Sequence, residues 1–320
     1  MEEKHESLRP KNFAGYRGQT KLKERLQLSV KAALQRKEPL EHILLCGPAG
    51  LGKTTLGQII ANEMGCKLHS SSGPVLEKAG DLAGLLTSLE EGDVLFIDEM
   101  HRLDNRLEEY LYPAMEDFRL DIIIEQGNKG QSMSIKLPKF TLIGATTKSV
   151  MISSPLRSRF GTVARLDYYQ TEELMEIILT NAEILQVDLK EIAAKEIAVR
   201  SRGTPRIANN ILKWTRDFAE IKFPKKEVNK DIVLKALEML EVDEQGLDEM
   251  DKKIISVMSE NFGGGPVGIS SIATAVMEEA NTIEEVHEPF LIMLGLIKRT
   301  QIGRVLTDKG KRKAEEIKNK

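Results

Sequence analysis

Three short, unbroken apolar runs punctuate the first half of the chain: Ile43–Cys46, Val94–Ile97 and Thr141–Gly144. A strand with one face in water alternates apolar and polar residues, whereas a strand covered on both faces reads as a continuous apolar run. Segments of helical period lie between these runs. Residues 21–37 place Leu22, Leu26, Val30 and Ala33 on one face, and a second helix is predicted from about Lys53 to Met64. Buried strands alternating with helices predict a parallel sheet with helices on both sides, an α/β domain over residues 1–168.

Residues 121–137 depart from this pattern. Asp121–Glu125 is strand-like, Gly127-Asn128-Lys129-Gly130 is turn-like and Ser132–Leu137 alternates, which predicts a β-hairpin inserted before the third strand. From Thr171 to about Asp243 the period is helical, with Thr171 as candidate cap and further helices near 189–202, 206–221 and 228–240. Trp214, the single tryptophan, is expected in the core of this all-α domain, 169–243, because of the area it must bury. Beyond it, Leu247–Asn261 reads as a helix and Gly263-Gly264-Gly265-Pro266 ends it. Leu296–Thr300 and Arg304–Leu306 flank a turn at Gly303. Helices followed by a two-stranded wing predict a winged helix-turn-helix over 244–320.

The chain has 320 residues, 41% hydrophobic and 30% charged, with a formal net charge of −3. No global basic field is present, so any nucleic-acid contact requires a local patch. Residues 296–320 supply one, with nine Lys or Arg against three Asp or Glu; residues 244–295 carry two Lys against ten acids. That segregation predicts one end of the domain facing a polyanion and the other kept away from it. Cys46 and Cys66 form neither a disulfide framework nor a zinc site, and Cys46 reads as a small buried hydrophobe. The N-terminus has no apolar stretch typical of a signal peptide, and no run approaches the roughly 18 apolar residues of a membrane span, so a cytoplasmic protein is expected.

The candidate chemistry begins right after the first strand. Gly47-Pro48-Ala49-Gly50-Leu51-Gly52-Lys53-Thr54 has the form G-x-x-x-x-G-K-T. Its glycines let backbone N–H groups surround phosphate oxygens, and the following helix directs its positive end at the same anion. Lys53 is expected to reach the β- and γ-phosphates of ATP and Thr54 to ligand Mg²⁺, with Thr55 beside them in the cofactor site. The second strand ends in Asp98-Glu99. Asp98 is expected to hold Mg²⁺, and Glu99 to orient or deprotonate the attacking water. Thr146 and Thr147, after the third strand, are placed to contact the γ-phosphate or that water. Arg157 and Arg159 lie two apart and point differently, one to tie down its helix and the other to project as an arginine finger. Arg206, opening a helix of the second domain, is placed to reach back to the nucleotide.

Taken in order, these motifs resemble the RuvB family of AAA+ ATPases, and the resemblance runs nearly the whole length. The most specific stretches are Gly73-Pro74-Val75-Leu76, Gly92–Leu103, Gly144–Thr147, Ser154–Gly161, Ser201–Ala208, Gly264–Gly268, Glu284–Gly295 and Arg299–Thr307. The resemblance implies an AAA+ P-loop sheet with an inserted hairpin, an α-helical lid and a C-terminal winged helix. It implies that Thr147 is the γ-phosphate sensor, Arg159 the finger acting on a neighbouring subunit, and Arg206 the second sensor. It implies that Arg9, Pro10 and Tyr16, with Gln19, hold the adenine and that Tyr169 touches the base from the other side. His101 is assigned a structural hydrogen bond. By the same resemblance, Lys298, Arg299 and Arg304 contact duplex DNA. The partners are RuvA, docking on hairpin 121–137, the RuvC resolvase, four-way junction DNA and five further copies in a homo-hexamer. Two features depart from the family. The hairpin tip, Ile124–Met133, does not follow the family's I-G-x-G-P-x-A-R, and Arg299-Thr300-Gln301-Ile302-Gly303-Arg304 lacks one arginine of R-T-P-R-G-R. The implied function is ATP-driven branch migration of Holliday junctions. The competing readings are a AAA+ loader or initiator and an ATP-gated DNA-binding module independent of RuvA.

Overall fold

The computed structural model describes residues 8–126, 129–224 and 226–319, with residues 122–126 and 129–132 of the hairpin described by backbone alone. The chain divides into two compact units, Met1–Tyr169 and Gln170–Lys320.

The first unit is built on a five-stranded parallel sheet in the order β2-β3-β6-β1-β7. Its strands are β1 (Ile43–Cys46), β2 (Leu68–Ser72), β3 (Val94–Asp98), β6 (Thr141–Thr146) and β7 (Thr162–Arg165). The three strands legible in the sequence are the central ones, buried along their apolar runs. The two it did not disclose, β2 and β7, are the edges. An edge strand is covered incompletely, and Leu68-His69-Ser70-Ser71-Ser72 therefore carries no apolar run. Parallel pairing sets Cys46 opposite Thr146 and Ile97 opposite Gly144. The C-terminal ends of β1, β3 and β6 thus share one edge of the sheet, and the motifs that follow them meet there.

Helices α1 (Thr20–Arg36), α2 (Lys53–Met64), α3 (Ala79–Thr87), α4 (Asn105–Glu116) and α5 (Ser154–Ser158) complete the unit. One core cluster joins Leu82 and Leu86 of α3, Leu107, Leu111 and Met115 of α4 and Leu156 of α5 to Leu95, Ile97 and Leu142 of the sheet. The hairpin is present, β4 (Arg119–Gln126) antiparallel to β5 (Lys129–Lys136), with Ile123 opposite Ser132. Its turn, residues 127–128, lies outside the described residues, as do the side chains of Ile123 and Ile124. Met133 is described and is 50% exposed.

The second unit holds α6 (Thr171–Ile184), α7 (Glu191–Val199), α8 (Pro205–Lys222) and α9 (Lys230–Met239). The cap of α6 is Gln170, not Thr171: Gln170 N–H donates to the Glu173 carboxylate at 2.9 Å, which moves the helix start back by one residue. Trp214 is half-buried rather than central. Its Nε1–H needs an acceptor and finds Ala236 O at 2.9 Å, at the α8–α9 contact. After residue 243 come α10 (Glu249–Glu260), α11 (Ile269–Val276), α12 (Ala280–Thr282), a π-helical turn (Ile283–His287), α13 (Glu288–Met293), the wing β8 (Ile297–Thr300) and β9 (Gly303–Leu306), and α14 (Asp308–Lys318).

A buried ionic cluster crosses from the first set of helices to the second. Arg202, held at φ +52° between α7 and α8, donates through Nε to Gly246 O at 3.0 Å. Its Nη2 meets Asp248 at 2.6 Å and the fully buried Asp251 at 2.7 Å. His287 Nδ1 lies 2.7 Å from Asp251 Oδ1, and the Arg202 guanidinium sits 4.7 Å from the Phe290 ring. Each charge in this cluster has an opposite partner, which buried ions require. Among the described residues, no helix is long and apolar enough to cross a membrane.

Candidate active site

The glycine-rich loop leaves β1 at Cys46 and enters α2 at Lys53. Two of its glycines are obligatory. Gly47 has φ +151°, and a Cβ there would fall 2.5 Å from Leu166 O; Gly52 has φ +95° and passes the chain into the helix. Lys53 is 7% exposed. Its ammonium folds back over the loop, donating to Gly47 O at 2.7 Å and Pro48 O at 2.8 Å. The loop therefore keeps a buried cation at its centre, with carbonyl contacts that phosphate oxygens can replace.

Across the sheet edge, Thr54 Oγ1 lies 3.2 Å from Asp98 Oδ2, and Asp98 Oδ1 accepts from Glu99 N–H at 2.9 Å. A hydroxyl and a carboxylate are hard oxygen donors, the set Mg²⁺ selects. Glu99 has φ +46° and pairs with Arg102 at 2.9 Å on a partly exposed surface. Thr146 is fully buried; its Oγ1 meets His101 Nδ1 at 3.1 Å, so His101 makes the structural contact read from the sequence. Thr147 differs. Its Oγ1 is buried and has no hydrogen-bond partner, and it follows β6 at the sheet end where the loop leaves β1 and the acidic pair ends β3. A buried hydroxyl left unpaired costs free energy, and a phosphate oxygen is the acceptor that would satisfy it. These residues fit a Mg²⁺-nucleotide.

The residues expected at the base fall into two groups. Arg9 and Pro10 line a cleft of about 510 Å³ together with Thr54, Thr55, Gln58 and Ser70. Tyr16 and Tyr169, 3% and 5% exposed, meet each other: their hydroxyls lie 2.8 Å apart, and Tyr169 Oη donates to Leu51 O at 3.3 Å. Gln19 clamps the Asp167 backbone on both sides, at 2.5 and 3.3 Å. The N-terminal segment and the last residues of the unit are thereby tied to the loop, at Leu51. Pro48, Ala49 and Gly50 lie within the same loop, Gly50 at φ +80°.

Arg157 of α5 and Arg159, which follows it, behave differently, but the one expected to project as the finger is the one that is tied down. Arg157 is exposed. Arg159 is held: its guanidinium lies 4.3 Å from the Tyr112 ring, Nη1 donates to Pro155 O at 2.7 Å, and Nε and Nη2 each approach Glu116 at 3.3 Å. Sequence reading did not find Tyr112 or Glu116. Their spacing of four on α4 was the available signal. Arg206 is exposed in the first turn of α8, after the Thr204 cap and Pro205.

The wing corrects the reading of its charges. Arg299 and Arg304 both bind Glu288, 1% exposed, Arg299 through Nε at 2.6 Å and Arg304 through Nε at 3.0 Å. Glu284 adds contacts of 2.9 and 3.4 Å to the same two arginines. Lys313 meets Asp243 at 2.7 Å. The acids and cations that are segregated along the chain are partly paired in space. Burial pushes the Glu288 carboxyl up, but the hydrogen bonds and charges of Arg299 and Arg304 outweigh it and hold it below its ordinary value. Lys298 is exposed on β8.

Comparison with known proteins finds relatives over nearly the whole chain. Residues 8–166 match the family model of the Holliday junction DNA helicase RuvB P-loop domain, 169–243 that of the RuvB AAA lid domain and 244–314 that of the RuvB C-terminal winged helix domain. The Holliday junction branch migration complex subunit RuvB of Salinibacter ruber is 54% identical over 298 residues, covering 93% of this chain and 86% of that protein. The structure of the Thermotoga maritima RuvB Holliday junction branch migration motor superposes with a TM-score of 0.88 at 48% identity, covering 96% of this chain and 98% of that one. A single-substitution variant of the same motor gives 0.89 at 47% identity, with the same coverage. The chain therefore belongs to the RuvB family of P-loop AAA+ ATPases, the motors of Holliday-junction branch migration.

Proposed function

We propose that this chain hydrolyses ATP with Mg²⁺ to drive duplex DNA through a homo-hexameric ring, migrating four-way junctions. The meeting of Lys53, Thr54 and Asp98 with the unpaired Thr147 hydroxyl at one sheet edge carries the reading. The family match extends it from an ATPase to a DNA motor, because it includes the winged helix. That match favours the motor over a loader, an initiator or a module independent of RuvA.

In this reading the domains are 1–168, 169–243 and 244–320. The loop Gly47–Thr54 binds the phosphates, and Arg9, Pro10, Thr55, Tyr16 and Tyr169 form or brace the base pocket. Thr54 and Asp98 would hold Mg²⁺, which neutralises charge on the β- and γ-phosphates. Glu99 leaves Arg102 to orient the attacking water. Thr147 senses the γ-phosphate. Arg159 completes the site of the next subunit as a finger in trans. Arg206 reaches the nucleotide from the lid; a cation in the first helical turn opposes the helix dipole, and a phosphate offsets that cost. Lys298 and Arg299 meet DNA phosphates, while Arg304 braces the wing. A motor that must pass every sequence relies on phosphate contacts rather than base reading. The hairpin 121–137 docks on RuvA with Met133 as one apolar anchor, RuvC acts on the same junction, and the complex works in the cytoplasm.

The test is ATP turnover by wild type and Glu99→Gln, with and without junction DNA and cognate RuvA. Stimulation by both ligands, lost in Glu99→Gln, is the expected result. Hydrolysis indifferent to DNA and RuvA would overturn the branch-migration assignment.

A further inference from the structure

Glu108, Tyr112 and Glu116 stand one helical turn apart on a single face of α4. All three engage the residues that flank α5, Ser153 before it and Arg159 after it. Glu108 is 3% exposed and accepts from Ser153 Oγ at 2.5 Å and from Tyr112 Oη at 3.3 Å. Ser153 is itself the cap of α5, accepting from Leu156 N–H. Tyr112 lays its ring 4.3 Å from the Arg159 guanidinium, and Glu116 pairs with it at 3.3 Å. The stripe thus fixes first the start of α5, then the cation at its end.

The three contacts are not equivalent. A carboxylate occupies guanidinium N–H donors, and the Glu116 side chain, 55% exposed, is solvated enough for its pair with Arg159 to be weak and exchangeable. An aromatic face uses none of the donors, which lie in the guanidinium plane. Tyr112 can therefore stay under Arg159 while its donors turn to a phosphate, whereas Glu116 must let go. α4 also follows Glu99 through one 3₁₀ turn, Met100–Arg102. The chain's own acidic pair and Arg159 are joined through one helix.

We propose that Glu108, Tyr112 and Glu116 are positioning residues that aim Arg159 at the neighbouring subunit's nucleotide, Tyr112 as the permanent guide and Glu116 as the resting partner. The proposal rests on the reading of Arg159 as a finger in trans. Tyr112→Leu is expected to lower kcat about tenfold with KM for ATP within about twofold, because the transition state and not ground-state binding loses its cation. Tyr112→Phe keeps the ring and is expected to stay within about twofold of wild type.

The decisive experiment mixes full-length subunits. Glu99→Gln rings are inactive yet carry an intact Arg159. Adding them in equal amount to Tyr112→Leu is expected to raise the turnover of the mixture at least about threefold, since Glu99→Gln neighbours supply well-aimed fingers to sites with intact Glu99. Arg159→Ala mixed with Glu99→Gln is the control. If the control is restored and Tyr112→Leu is not, Tyr112 serves its own site or the fold, and the positioning role is overturned while the finger stands. If neither mixture is restored, the reading of Arg159 in trans fails and the positioning role falls with it. Wild-type turnover by Tyr112→Leu alone also overturns the proposal.

Discussion

Thr54 Oγ1 donates to Asp98 Oδ2 across 3.2 Å, joining the first turn of α2 to the end of β3. Both oxygens belong to the set proposed for Mg²⁺, so the protein brings them together before any charge arrives. Asp98→Ala is expected to cut ATP turnover on the order of 10²-fold or more. Chelating divalent cations in the wild type should do the same, and added Mg²⁺ should restore the wild type but not the variant. Restoration of both would remove Asp98 from the metal site.

Thr147 separates function from folding. Its buried hydroxyl has no partner, and an unpaired buried hydroxyl costs about 1–3 kcal/mol. Thr147→Val deletes it at nearly constant shape. Turnover is expected to fall on the order of 10²-fold while the melting temperature holds or rises. Thermal melts and turnover measured on one preparation check this. A clear drop in melting temperature would show that the hydroxyl is bonded within the fold.

Glu288 sets a pH dependence with a definite sign. Its folded carboxyl titrates below the ordinary value of 4.5, so its stabilisation is complete above that value and is lost as pH falls through the folded one. Wild type and Glu288→Gln should therefore differ most in melting temperature near neutral pH, and the gap should close as pH falls below the ordinary carboxyl value and through the folded one. Other depressed carboxyls, such as Asp248 and Glu196, titrate in both proteins and cancel in the difference. A gap that widens on acidification would contradict the assignment.

The wing cations are expected to divide by role. Lys298→Ala should weaken duplex binding and reduce the slope of log K against log salt by about 1, with melting unchanged. Arg304→Ala leaves the buried Glu288 carboxylate to Arg299 alone and should lower stability by about 2 kcal/mol. Salt titrations of DNA binding, with thermal melts alongside, distinguish them. A full unit of slope change from Arg304 without loss of stability would return it to the DNA face.

What was legible in the sequence follows from how local each constraint is. Gly47 and Gly52 need backbone angles that other residues avoid, so the loop could be read at sight. The central strands announced themselves by burial on both faces. Leu68–Ser72 did not, because an edge strand is not required to be apolar. Arg159 was found by its motif, yet its hold on Tyr112 was invisible, since that contact spans two elements that only the fold brings together. The wing shows the same limit more sharply. A run of acids followed by a run of bases reads as a charge gradient, and folding back by sixteen residues turns Glu288 and Arg304 into partners.

The Arg202 cluster changes what counts as a module here. The two family models of this unit meet at residue 243, but Gly246, Asp248, Asp251 and Phe290 beyond it all close on one guanidinium before it. A winged helix transplanted without that arginine would carry two aspartates and a histidine with no counter-charge. A helical lid cut off at the seam would expose a cation built for a dry pocket. Grafting between relatives should therefore succeed only when Arg202 travels with its acids, and heredity would be expected to hand the two down as one piece.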